Sequence, residues 1–206
     1  MSHGEMVSRE LEKFFMLFPE ESDTIPELLW GANRKVAQFQ QEAGLEINFA
    51  GKLAGATFAI VKVGQENLSI NQGGDCFVLV ATDSDIKITK NQVRSHDTRM
   101  NSEIEMIQRN IAFKRFGIRL ENATKEEQAA IRGEMWDIFR PVLQEDRNYD
   151  VNNKISKNGY SLLNGQKEFL TSGMVFYDII LLLNVKTILL FTNGMVPWEA
   201  MKTMTD

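Results

Sequence analysis

Residues 56–81 read ATFAIVKVGQENLSINQGGDCFVLVA, three short runs rich in apolar and β-branched residues, separated by polar turns that contain glycine. The turns are Gly64-Gln65-Glu66 and Gly73-Gly74-Asp75. Connections this short favour antiparallel hairpins, and the runs have the length of ordinary strands. The stretch predicts three strands, over Ala56–Val63, Asn67–Gln72 and Cys76–Ala81.

Helical spacing of apolar residues replaces this pattern on both sides of the strands. Upstream, two such runs lie between Glu5 and Gly44. Downstream, Thr124 with Glu127 three residues later is typical of a capping box at a helix start, and Pro141 should bend or end that helix. The predicted helices are Met6–Phe18, Pro26–Glu42, Glu103–Phe116 and Lys125–Leu143.

The most apolar stretch, residues 174–195, is interrupted by Asp178, Asn184, Lys186 and Asn193. It is too polar for a membrane span, and we interpret it as a loop followed by a buried strand at Thr187–Thr192. Residues 86–89 could add a further strand. The order helices, strands, helices, strands predicts one α+β domain, residues 1–206, with an antiparallel sheet core.

Composition limits the partners and the compartment. The 206 residues carry a formal net charge of −5, and 43% of them are hydrophobic, as in ordinary soluble domains. This charge argues against a nucleic-acid surface and gives no support to membrane binding. The single cysteine, Cys76, excludes an internal disulfide and fits a reducing compartment, so we expect a cytoplasmic protein.

Side chains that could carry chemistry are few. No nucleophile elbow, phosphate-binding glycine loop or cysteine pair occurs in the sequence. We expect terminal disorder at His3, a solvated loop at His96-Asp97, and a small buried strand residue at Cys76. What remains is Asp75 and Asn193-Gly194, which lie at turns beside strands. Their oxygen atoms could bind a hard divalent cation. Taken alone, these are common turn sequences.

Their wider context resembles the metal-dependent protein phosphatases (PPM, or type 2C). Ala54-Gly55-Ala56-Thr57-Phe58-Ala59, with Gly74-Asp75-Cys76 after a hairpin, resembles the family's Gly-Ala-Thr strand and Gly-Asp-Ser element. Residues 185–195, VKTILLFTNGM, are similar to its hydrophobic strand that ends in Thr-Asp-Gly. Two further segments match in the expected order: His3–Arg9, and the run Arg147-Asn148, Asn152 and Gly159–Gly165.

This resemblance implies a fold and a chemistry. The fold is an antiparallel β-sandwich flanked by helices, in α-β-β-α layers. Two Mg²⁺ or Mn²⁺ ions would hold a water that attacks phosphoserine or phosphothreonine in a phosphoprotein substrate. By position, Asp75, Asn193 and Gly194 would belong to the metal site, while Thr57 would be structural.

Departures from the family pattern leave the activity open. Other acidic ligands of the family would lie upstream of His3 and beyond Asp206, so we expect a domain incomplete at both ends. Asn193 stands where the family has an aspartate, and an amide supplies no charge. No catalytic side chain is assigned. Three hypotheses remain: a phosphatase, a pseudophosphatase that binds a signalling partner, and a generic α+β domain with accidental resemblance.

Overall fold

The computed structural model describes residues 3–17, 24–171 and 175–192. The fold is mixed α+β, with four long α-helices, one short α-helix and two small antiparallel sheets among these residues. The helices are α1 (His3–Met16), α2 (Ile25–Glu42), α3 (Arg94–Ile111), α4 (Lys125–Asp150) and α5 (Glu168–Thr171). The strands are β1 (Phe58–Val63), β2 (Asn67–Gly73), β3 (Cys76–Thr82), β4 (Ile86–Ile88), β5 (Phe176–Leu181) and β6 (Val185–Thr192). None of the helices in the described ranges is long and apolar enough to cross a membrane.

The two sheets are not built from consecutive strands. The first has the order β1-β2-β5 and the second β4-β3-β6, with antiparallel pairing throughout. The predicted β1–β2 hairpin is confirmed, with Phe58 opposite Gly73. The prediction of a hairpin between β2 and β3 is wrong, because these strands lie in different sheets. The turn at Gly74-Asp75 therefore carries the chain from one sheet to the other.

Apolar side chains of both sheets share one buried cluster. Leu68 and Ile70 of β2 pack with Val78 and Val80 of β3, and all four are almost fully buried. Leu68 and Ile70 are two residues apart, as are Val78 and Val80, so each pair points to one face of its strand. These residues tie the two sheets into one core.

Two helix pairs form further clusters. α1 and α2 pack through residues such as Leu11 and Leu29 against Phe58 of β1, while α3 and α4 pack through Met100 and Ile131. α2 starts at the capping residue Thr24, whose hydroxyl accepts the main-chain N–H of Glu27. The predicted capping box of Thr124 and Glu127 is confirmed at the start of α4.

Several predicted boundaries were wrong. α4 continues through Pro141 to Asp150, seven residues beyond the predicted end at Leu143, and the buried Asp150 is held there by contacts with His96 and Arg99 on α3. α3 starts at Arg94, earlier than the predicted Glu103. Residues 176–181, interpreted as loop, form strand β5. β6 is a strand as predicted but is not buried, since it lies at a sheet edge where Leu189 and Leu190 are about half exposed.

Candidate functional site

The turn that connects the two sheets is tightly packed around Gly74. Gly74 has a φ of +75°, a left-handed conformation that favours glycine. A Cβ atom there would lie 2.2 Å from Cγ2 of Thr57, so the turn also needs glycine for space. Asp75 follows it and is partly exposed. The predicted sharp turn at Gly74 is confirmed, and Thr57 packs against it.

Two glutamine side chains hold this turn. Oε1 of Gln92 accepts the main-chain N–H of Gly74 at 3.0 Å and that of Ser161 at 3.4 Å. Nε2 of Gln92 donates to the carbonyl oxygen of Gln72 at 3.3 Å. Nε2 of Gln72 in turn donates to the carbonyl oxygens of Gly74, at 3.2 Å, and Lys90, at 3.1 Å. The turn is thus fastened by side chains rather than by a strand ladder.

Cys76 is a buried strand residue, as predicted. Its Sγ atom donates to Oγ1 of Thr57 at 3.2 Å. Burial, which is the largest effect, raises the pKa of the thiol, with a smaller contribution in the same direction from the charge of Asp75. A thiol held protonated at neutral pH is a poor nucleophile and a poor metal ligand. We therefore assign Cys76 a packing role.

The end of β6 lies beside the start of β3. Thr192 is the register partner of Cys76, and Phe191 stacks on Phe77 with ring centroids 5.3 Å apart. The predicted site residues Asn193 and Gly194 follow Thr192 directly in the sequence but lie outside the described residues. Their predicted proximity to Asp75 remains a prediction.

A groove with a volume of about 510 Å³ opens between β1 and β6 next to this corner. Thr57, Cys76 and Thr192 line its end near Asp75. Most of its other lining is apolar, including Phe58 and Leu190. The groove could therefore accept apolar side chains more readily than a cluster of cations.

Asp97 is an acidic residue near this corner that the sequence analysis did not assign to the site. Burial raises the pKa of its carboxyl group, and the charge of Asp75 adds to this effect while His96 opposes it. The charge of Asp75 thus acts on the carboxyl group of Asp97, which lies in the first turn of α3. No sequence signal linked the two residues, because Asp75 lies in the β2–β3 turn and Asp97 in the first turn of α3.

The prediction of a solvated loop at His96-Asp97 was wrong. His96 is buried in the first turns of α3, and its Nδ1 atom lies 2.9 Å from Oδ2 of Asp150. The same carboxylate oxygen accepts a hydrogen bond from Arg99 at 2.9 Å, and the other accepts one from Ser156. Tyr160 packs on the His96 ring, and burial raises the pKa of Tyr160 to about 12. These groups form a buried polar cluster between α3 and α4.

His3 was also mispredicted. It begins helix α1, where Nε2 lies 3.3 Å from Oε1 of Gln40 and the ring stacks on Phe39. These contacts fix the side chain against α2. These contacts give the His3 side chain a structural role, and the disorder expected from its terminal position is not found.

The segment around Ser161 is fastened by buried amides. Asn152, in a left-handed conformation with φ of 54°, donates to the carbonyl oxygen of Leu162 and to Oδ1 of Asn164. Asn33 on α2 holds the main chain of Gly165, at 2.9 Å, and of Gln166, at 2.8 Å. Asn152 and residues 159–165 are among those that carried the phosphatase resemblance. The structure gives them a common role in fixing this segment.

A divalent-ion centre needs several oxygen, nitrogen or sulfur ligands close together. Among residues 3–17, 24–171 and 175–192, no group of three or more His, Cys, Asp or Glu side chains could hold a metal ion. At the corner, Asp75 offers a carboxylate, and Asp97 is the acidic residue on which its charge acts. Two divalent ions require several more oxygen ligands than this. The described residues alone therefore do not fit a two-metal centre, and we derive no reaction step through one.

Comparison of the chain with models of protein families, with curated proteins and with solved structures finds no match.

Proposed function

We propose that this chain is a domain of the PPM, or type 2C, phosphatase kind, with an α-β-β-α sandwich and a site at the corner that carries Asp75. Its reaction would be hydrolysis of phosphoserine or phosphothreonine in a protein substrate, with Mg²⁺ or Mn²⁺ as cofactor. The pairing of Cys76 with Thr192 is the observation that supports this most. It brings the Gly-Asp element next to the end of the strand that precedes Asn193, as the family's register requires.

The fold offers further support. Two antiparallel sheets share the apolar cluster of Leu68, Ile70, Val78 and Val80, and helix pairs contribute separate clusters. A sandwich with helices on both sides would have these features. The single, buried Cys76 is compatible with the cytoplasmic location that is part of this proposal.

A pseudophosphatase that recognises a phosphoprotein or signalling partner is the second candidate. Two observations favour it over the enzyme. Asn193 carries an uncharged amide where the family has a carboxylate, and the described residues contain no group of three or more side chains that could hold a metal ion. A water held between two cations needs carboxylates to retain both ions. For the unaltered chain we therefore expect weak divalent-ion binding and little or no turnover.

Hydrolysis of a phosphothreonine peptide tests the choice between the two. The unaltered chain should release little phosphate with Mg²⁺ or Mn²⁺ over a buffer blank. Because Asn193 precedes a glycine, it can deamidate to aspartate in stored protein, so the intact mass must be measured first. Vigorous metal-dependent hydrolysis by protein with Asn193 intact would refute the pseudophosphatase candidate and support the enzyme.

A further inference from the structure

The connection between α3 and α4 carries an exposed aromatic side chain. α3 runs into a π-helical turn, Ala112–Phe116, which is followed by Gly117 in a left-handed conformation. Ala112 is fully buried and Phe116 packs on the apolar cluster between the two helices, whereas 73% of Phe113 is exposed. π-Helical turns are rare and occur frequently at functional sites. Phe113 is thus held out to solvent by neighbours that are anchored in the helical hairpin.

Basic side chains follow Phe113, and only part of their charge is neutralised. Residues 113–119, which we call the hairpin tip, contain Lys114, Arg115 and Arg119 and no acidic residue. Arg115 pairs with Glu134 on α4 at 2.9 Å. Lys114 and Arg119 are exposed, and neither forms an ion pair with a residue that the structure describes. The hairpin tip therefore carries unpaired positive charge on a chain whose net charge is −5.

The end of a helix explains only part of this arrangement. The helix dipole favours cations at its C-terminus, which accounts for Lys114 and Arg115. It gives no reason for an exposed phenylalanine, and Arg119 lies beyond the turn at Gly117. Phenylalanine and arginine are both enriched in protein–protein interfaces, where the ring supplies apolar contact and the guanidinium group binds carboxylates. Three partly buried apolar residues lie in the same connection: Phe116, Ile118 and Leu120.

We propose that the hairpin tip is a docking surface for an acidic segment of a partner protein, with carboxylates that meet Lys114 and Arg119 and an apolar side chain that covers Phe113. Complementary charge selects such a partner and speeds its association. An extended polyanion, such as a nucleic acid or an anionic membrane, fits less well, because the acidic residues Glu121 and Glu126 follow the tip directly and the whole chain is negative. This surface does not depend on the phosphatase assignment.

The test measures binding of short fluorescein-labelled peptides to the whole chain by fluorescence anisotropy. The first peptide consists of glutamate, aspartate and leucine. In the second, glutamine and asparagine replace the acids, and in the third, alanine replaces leucine. The first should bind at physiological salt, the second should not bind, and the third should bind about tenfold more weakly than the first. Vesicles that contain phosphatidylserine and a single-stranded oligonucleotide are titrated in parallel.

Two variants of the hairpin tip separate the apolar contact from the charged one. Phe113→Ser should raise the Kd of the leucine peptide about tenfold and leave the Kd of the alanine peptide unchanged, because only the first can contact the ring. Lys114→Gln combined with Arg119→Gln should raise the Kd of both acidic peptides about tenfold and reduce its dependence on salt.

The matched control is an exposed group of similar composition, two lysines and an isoleucine, in the segment after α4: Lys154, Ile155 and Lys157. Ile155→Ser, and Lys154→Gln combined with Lys157→Gln, should leave every Kd unchanged. The substitutions in all four proteins replace exposed side chains, so their Tm values should remain close to that of the unaltered chain.

Losses of affinity confined to the two tip variants would support the proposal. It would be overturned if the unaltered chain did not bind the leucine peptide, or if the control variants lost as much affinity as the tip variants. Equal effects of Phe113→Ser on the leucine and alanine peptides would show that Phe113 does not receive the apolar side chain. Vesicle or oligonucleotide binding that is tighter than peptide binding, and is lost with Lys114 and Arg119, would assign the tip to a membrane or a nucleic acid instead.

Discussion

Nδ1 of His96 lies 2.9 Å from Oδ2 of Asp150, and this contact joins the start of α3 to the last residue of α4. Asp150 has an exposed fraction of only 1% and also binds Arg99 and Ser156. A buried carboxylate with three partners is satisfied, but its removal leaves Arg99 and His96 without their shared acceptor. The pair therefore links the start of α3 to the end of α4, in addition to the apolar cluster that packs these two helices together.

Asp150→Ala should lower the free energy of unfolding by about 3–5 kcal/mol, the usual effect of breaking a buried ion pair from one side. Urea denaturation at pH 7 measures it. Glu105→Ala is the matched control, because it removes one of the two carboxylate partners of Arg109 on the exposed surface of α3. The control should leave the denaturation midpoint almost unchanged. Equal effects of the two substitutions would show that the Asp150 cluster is not a stability determinant.

Gly74→Ala should destabilise the protein by about 2–4 kcal/mol, because a Cβ atom there would overlap Thr57 and the left-handed conformation would be strained. Gly133→Ala is the control in the opposite direction. Gly133 lies within α4 with nothing within 4 Å of the added Cβ, so alanine should stabilise the helix by about 0.5–1 kcal/mol. Thermal unfolding measures both effects: Tm should fall in Gly74→Ala and rise in Gly133→Ala. A neutral Gly74→Ala would mean that the corner is loosely packed.

Asn193→Asp should strengthen Mn²⁺ binding about fivefold or more, since unit charges 4 Å apart interact by about 1 kcal/mol even in water. It should not restore full turnover, because the described residues supply few other carboxylates. Asn184→Asp adds the same charge in the β5–β6 connection and should leave the affinity unchanged. Isothermal titration calorimetry of the three proteins measures the difference. Equal gains in both variants would indicate a general charge effect and not a ligand position.

Asp97→Asn should gain stability relative to the unaltered protein as the pH rises. The pKa of Asp97 is raised above its unfolded value of about 3.9, mainly by burial. Its protonated form therefore favours folding below that value, and this contribution is lost as the pH rises through the folded-state pKa. Asparagine does not ionise and avoids the loss. Denaturation midpoints of both proteins between pH 4 and 7 test this, with Asp137→Asn on the exposed face of α4 as control.

If the denaturation midpoints of the Asp97→Asn protein and the unaltered protein differ by the same amount across that pH range, the pKa of Asp97 is the same in the folded and unfolded states. A pH-dependent difference that Asp137→Asn reproduces would show a general effect of net charge. Only a pH-dependent change confined to position 97 supports a raised pKa of the Asp97 carboxyl group.

The positions of most helices and strands could be predicted from the sequence, because apolar residues repeat with a helical or a strand period. The sheet to which each strand belongs could not. Nothing in the Gly73-Gly74-Asp75 sequence distinguishes a hairpin from a crossing between sheets, and the difference arises from the packing of Thr57 and Phe58 against the glycines. His96 was misassigned for a similar reason, since its helix is stabilised by Asp150 more than by local propensity.

The candidate site was predictable only in part. The turn at Gly74 followed from its glycines, and burial of Cys76 followed from its place in an apolar strand. Asp97 and Gln92 could not be found in this way, because their relation to Asp75 depends on how the residues between β4 and α3 fold back over the turn. Asn193 and Gly194 lie outside the described residues, and their roles stay predictions.

The strand order has a consequence for how the protein would be completed on the ribosome. β1 with β2 and β3 with β4 can pair early, but their remaining partners, β5 and β6, are synthesised only after the whole helical hairpin of α3 and α4. Each early pair then exposes an open edge and an apolar face during elongation. Because β5 and β6 are adjacent in the chain, both sheets would close in one late step, and nascent chains stalled before residue 176 should depend strongly on chaperones.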